Sequence, residues 1–144
     1  MKSNSLFRRI VASDAPRVEA VPVEISPGAL IDRITLLEVE VSFGRDPALM
    51  REATDELERL HAAREKALPD CPALDRLVAE MKQINARACD IGRRLRAYEA
   101  EQDFGPDFIA LARAVQRASD RRAAIRERIN ALLGARVREA RSYA

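Results

Sequence analysis

Apolar positions recur every three or four residues over most of the chain, the period of an amphipathic helix. The longest run is Leu74, Leu77, Met81, Ile84, Ala88, Ile91, Leu95 and Tyr98. It keeps a heptad seam for nearly four heptads and predicts a helix over about 72–102 with coiled-coil character. A second run, Phe108, Leu111, Val115, Ala118, Arg122, Ile125, Ile129 and Leu132, predicts a helix over about 106–133. Leu30, Ile31, Ile34, Leu37 and Val41 mark a shorter helix over about 27–43. Leu49, Ala53, Leu57 and Leu60 mark another over about 47–67, with Arg64 joining that face through its stem.

The punctuation agrees with the periodicity. Ser26-Pro27 and Asp46-Pro47 each place a capping side chain before a proline suited to the first helical position. Gly105-Pro106-Asp107 opens the fourth helix, with Gly105 or Asp103 as cap, and Gly134 stands where a left-handed C-terminal residue is needed. Gly92 is a weak point inside the third helix and a place for close helix approach. Only Val21, Val23 and Ile25 alternate with period two. Pro22 among them lacks an N–H, so residues 18–25 predict an edge or a lone extended arm that packs across helices or pairs with a second copy in a dimer.

The expected architecture is all-α: four helices, a long antiparallel hairpin covered by two shorter helices, and a short N-terminal extended arm. At 144 residues the chain suits one domain. Residues 1–17 form a basic arm, with Lys2, Arg8, Arg9 and Arg17 against Asp14, and 18–144 the single helical domain. Ala supplies 25 of the apolar residues and Leu, Ile, Val, Phe and Met together only 39. The core is therefore narrow, and a second copy of the chain is the expected partner to complete its burial.

Charge is abundant and nearly balanced, with 25 basic and 23 acidic residues. Residues 113–144 hold nine Arg and three acids, while 46–70 holds seven acids and four bases. The acidic second helix is placed to neutralise the basic stripe, within the fold or across a dimer. Aromatic stacking residues are missing there apart from Tyr143, so direct nucleic-acid binding is not expected. The apolar stretch after Arg8 and Arg9 is too short for a signal peptide, and no run is long enough to span a membrane. The expected location is the cytoplasm. Cys71 and Cys89 share no metal-ligand spacing and His61 is the sole histidine, so neither a metal nor a cofactor is expected. Cys71 sits at a helix start, and Cys89 reads as small core filler.

No catalytic motif stands out, and no catalytic residue is assigned. Arg122 is the most informative position, because it interrupts an apolar seam. A guanidinium keeps its charge and needs an anionic partner when removed from water. Asp32 on the first helix, Arg121 and Arg126 beside Arg122, and Asn130 one turn on complete the candidate cluster. Lys82, Gln83, Asn85 and Arg87 on the third helix, with Arg33 on the first, offer further polar groups. Two readings follow. The cluster is a salt-bridge network that sets helix register, or a pocket for an anionic metabolite with Arg121, Arg122 and Arg126 as clamps and Asp32 as orienter.

Three stretches carry a family resemblance: Ile25-Ser26-Pro27 running into GALIDRITLLEVE, the stretch AEQDFGPDFIALARAVQRASDRRAAIRERIN, and the terminal Arg141-Ser142-Tyr143. Taken in order they resemble a family of small bacterial proteins, the domain of unknown function numbered 6165. The likeness spans about residues 24–143. Its polar positions fall here on Asp32, Thr35, Glu38, Asp103, Arg113, Asp120, Arg121, Arg122 and Asn130, and the chain departs from it at Glu24, Ala29, Gln116 and Ala140. The resemblance implies a surface-polysaccharide context and brings no defined activity; the leading expectation beside it is a cytoplasmic homodimeric accessory or protein-interaction protein. Over Leu30–Ile34 the chain also resembles the opening helix of small helical chorismate mutases, which hold a dicarboxylate with Arg and Lys; the rest of the chain departs from that pattern.

Overall fold

Each helix begins at a proline, whose missing N–H falls where a helix has no internal acceptor to offer. The computed structural model describes residues 19–140 and contains α1 (Pro27–Phe43), α2 (Pro47–Ala67), α3 (Pro72–Ala100) and α4 (Pro106–Leu132). Ser26 Oγ accepts from Ala29 N at 3.0 Å, and Asp46 Oδ1 accepts from Ala48 N at 2.9 Å, so two of the expected caps are made. Gly105 caps α4 through its backbone, and Asp103 Oδ1 holds the Gly105 N–H at 3.1 Å. At the end of α4, Gly134 adopts φ +61°, with Ala135 N bonded to Asn130 O and Gly134 N to Ala131 O. That is the Schellman pattern, which turns the chain back along the bundle.

α1 is apolar on nearly every side, so it can be stable only with neighbours all round it. It lies beside all three other helices and buries Leu30, Ile31, Ile34, Leu37 and Val39. Gly28 lies on Arg126 and Asp32 on Arg122, so α1 runs antiparallel to α4. Glu80 pairs with Arg128 and Tyr98 with Asp107, so α3 and α4 form the antiparallel hairpin and α1 is parallel to α3. The main apolar cluster joins Ile31 to Leu74, Leu77, Met81 and Ile84 of α3 and to Ala118, Ile125 and Ile129 of α4. The backbone of α2 comes close to α1 only, and α2 fully buries none of its residues. It is held at its edges. Arg33 forks onto Glu56 at 2.7 and 2.8 Å, and Glu38 of α1 takes both His61 of α2 and Lys82 of α3.

Several expectations need correction. Among the described residues there is no strand, and the 19–25 arm does not lie across the helices: Val21 is 75% exposed and Val23 73%. With Pro22 between them and no second strand to pair, the segment has nothing to bury against. Val115 and Leu132 hold seam positions but are more than two-fifths exposed. Leu132 lies beyond the start of α1, and the seam spacing alone does not secure cover for Val115. The acidic α2 does not neutralise the basic stripe of α4 within one chain, since α2 does not approach α4. The basic arm of residues 1–17 and the terminal Arg141-Ser142-Tyr143 lie outside the described residues. No helix is long and apolar enough to cross a membrane.

The close helix approach is at Gly28, not Gly92. A Cβ on Gly28 would meet Arg126 O at 2.5 Å, whereas one on Gly92 would meet only Arg96 Nη1 at 3.8 Å. Gly28→Ala is therefore expected to destabilise the fold by about 1–3 kcal/mol, because backbone has to move. Gly92→Ala should stabilise it by up to about 1 kcal/mol through helix propensity. Urea denaturation of the two variants beside the wild type checks both signs.

Candidate functional site

A polar stripe runs along the contact between α1 and α4, beside the apolar packing of Ile31 on Ile125 and Ile129. Asn130, Arg126 and Arg122 are spaced four apart and share one face of α4, and Gly28 and Asp32 do the same on α1. Gly28 N donates to Asn130 Oδ1 at 2.8 Å. One turn later Arg122 straddles the Asp32 carboxylate, with Nη2 at 2.9 Å from Oδ1 and 3.0 Å from Oδ2. Arg126 Nη1 reaches Oδ2 at 2.8 Å. Asp32 itself is only 4% exposed. A buried carboxylate of this kind is tolerated because charged donors fill its lone pairs.

α3 contributes from the other side. Asn85 is fully buried, and its Nδ2 donates to Asp32 Oδ1 at 3.0 Å and lies 2.9 Å from Thr35 Oγ1. Thr35 in turn donates back to the backbone of its own helix, 2.8 Å from Ile31 O. Asn85 Oδ1 is buried with no hydrogen-bond partner. The cluster thus ties three helices together through one carboxylate. Asp32, Arg122 and Arg126 come together as the sequence suggested, and Asn85 and Asn130 belong with them. Arg121 does not. It is exposed on the next face of α4 and touches none of this group. Its position, 100° around the helix from Arg122, turns it away from α1. Arg33 goes to Glu56, and Gln83 and Arg87 are exposed rather than inside the hairpin.

A second carboxylate closes the α1 end of the stripe. Glu139 Oε1 accepts from Ser26 N at 2.8 Å, and Oε2 takes the Ser26 hydroxyl. In a capping box the third helical residue supplies this carboxylate; Ala29 stands there, and Glu139 does the work from the far end of the chain. Burial raises the Glu139 carboxyl, but the Ser26 hydroxyl and N–H outweigh it and hold it below its ordinary value of 4.5. No sequence signal pointed to this pair, because it links residues 113 apart.

The remaining chemistry-bearing groups are dispersed. Cys71 precedes α3, half-buried against the core. Cys89 lines a cleft of about 390 Å³ between α1 and α3, beside Phe43, Gly92, Arg93 and Arg96. It is half-buried, not core filler, and burial raises its thiol pKa and keeps it protonated. A further cavity of about 310 Å³ lies between α1 and the start of α2, lined by Val41, Leu49 and Met50. Neither cavity contains Asp32, Arg122 or Arg126. Among the described residues no group of His, Cys, Asp and Glu is placed to hold a metal ion. Compared with known proteins, the chain matches no family model, no curated protein and no solved structure.

Two outcomes follow. Arg122→Ala should cost about 1–3 kcal/mol, less than the 3–5 typical of breaking a buried pair, because Arg126 stays on Asp32 and Arg122 is partly solvated. Asp32→Ala strands both guanidiniums and Asn85 and should cost more; chemical denaturation ranks them. The Glu139 latch has a depressed carboxyl, so its contribution is present above the ordinary carboxylate value and is lost as pH falls through the folded value. Hydrogen exchange at Ser26 N should speed up on acidification once corrected for intrinsic exchange, and in Glu139→Gln it should already be fast near neutral pH.

Proposed function

We propose that the chain is a cytoplasmic, homodimeric accessory protein that acts by contact with other proteins, in the surface-polysaccharide context of the bacterial family it resembles. The observation that carries this reading is the state of the Arg122 cluster. Its carboxylate is buried and filled by two guanidiniums and an amide, and it lines neither the cleft beside Cys89 nor the cavity beside Met50. The most polar part of the interior therefore acts as a brace between helices. The surface that remains for function is apolar and aromatic at one end of the bundle, with half-exposed Phe43 and Phe104. Exposed groups of this type suit protein contact.

A second reading rests on one specific observation. Two guanidiniums meet a single carboxylate, which leaves an excess of positive charge and free N–H donors on Arg122 and Arg126, both partly solvent-accessible. A small anionic metabolite, a phosphate compound or a sugar nucleotide, would complete that set.

Thermal melting with inorganic phosphate and with a uridine diphosphate sugar, each at millimolar concentration, separates the readings. The brace predicts a Tm unchanged within about 1 °C, since a ligand that does not bind the native state adds no stability. A dose-dependent rise of several degrees, abolished in Arg126→Ala, would overturn the brace and establish the ligand site.

A further inference from the structure

The two ends of the bundle differ. Because α1 and α3 run parallel, the C-termini of both meet the N-termini of α2 and α4 at one end. All three phenylalanines among the described residues, Phe43, Phe104 and Phe108, are at that end. Phe104 packs edge-on against Phe108, with ring centroids 5.2 Å apart. Phe108 and Val115 are spaced by seven from Arg122, so they share the face of α4 that meets α1. α1 stops at Phe43, where Arg93 covers its ring at 4.3 Å, so the last part of the hairpin runs on without it. Phe43, Phe104 and Val115 are left 49%, 47% and 43% exposed. The 390 Å³ cleft opens at the same place.

Charge is segregated along the same hairpin. From Ala97 to Ala112 there are four acids, Glu99, Glu101, Asp103 and Asp107, and no Lys or Arg. Immediately behind this tip α3 carries Arg93, Arg94 and Arg96, all exposed. An acidic tip beside a basic band, with exposed apolar side chains at both, is complementary to a copy of itself turned end for end. Exposed apolar side chains gathered at one end form the kind of patch that often marks an interaction site on a monomer.

We propose that this end of the bundle is a self-association surface. A second copy lies on it antiparallel about a two-fold axis, with Phe43, Phe104 and Val115 of both copies in the centre. The acidic tip of each copy rests on the Arg93–Arg96 band of the other. The surface rests on the homodimeric reading above and specifies where that dimer forms.

Sedimentation velocity over 1–200 µM tests it with three proteins. The wild type is expected at twice the 16.1 kDa chain mass. Phe104→Arg puts a charge in the apolar centre and should weaken association at least 100-fold, with the circular dichroism spectrum and Tm unchanged. Arg96→Glu should weaken it at least tenfold, and added salt should weaken the wild type toward the level of that variant. A wild type that stays monomeric at 200 µM overturns both the homodimer and this surface. A wild-type dimer that neither substitution weakens overturns the surface alone and leaves the homodimer standing.

Discussion

The fold depends on placing one carboxylate, Asp32, where water does not reach it. Once Asp32 is on the buried side of α1, its two oxygens have to be filled by donors with charge or strong dipoles. α4 must then present Arg122 and Arg126 on the face that meets α1, and α3 must present Asn85 at the same height. These donors fix the rotation of both long helices about their axes. They also fix the height of α1, because a shift of one turn would carry Asp32 about 5.4 Å from its partners. Apolar contacts are less selective, since neighbouring Leu and Ile side chains accept one another in several registers.

Two kinds of interface therefore divide the bundle. α3 and α4 meet along an apolar seam that supplies most of the burial, and α1 joins them by its own apolar faces and by the polar stripe. Gly28 is what allows the stripe to close, because the α4 backbone passes where any side chain would stand. Glu139 then secures the start of α1 from the other end of the chain. α2 is different. It leans on α1, buries no residue fully, and is held by ion pairs such as Arg33–Glu56. Exposed pairs contribute little each, so α2 is the part of the bundle most easily loosened.

The helices were legible because their signals are local. Proline at each first turn, the capping Ser26 and Asp46, and Gly134 mark ends, and the three-and-four spacing marks the buried faces. Arg122 and Asp32 were legible for a different reason: a permanent charge in an apolar seam demands a partner, and few buried-side carboxylates were on offer. What could not be read depended on distance in space. Arg121 and Arg122 look alike in sequence, and only the helix phase relative to α1 separates them. Val115 keeps the seam spacing, but its cover depends on how closely neighbouring helices approach it. The Ser26–Glu139 pair and the close approach at Gly28 depend on how the chain returns after α4. Alternation marked the extended arm but not where it rests, because alternation alone supplies no surface to lie on.

An internal brace and an aromatic, charge-segregated end divide the molecule into a tied interior and one differentiated face. In such a brace Asp32 and Arg122 are energetically coupled. A double-mutant cycle with Asp32→Ala, Arg122→Ala and the pair, read by urea denaturation, measures this directly. Coupling of about 1–3 kcal/mol is predicted, so that the second substitution costs much less once the first is made. Additive losses, with coupling below about 0.5 kcal/mol, would contradict it.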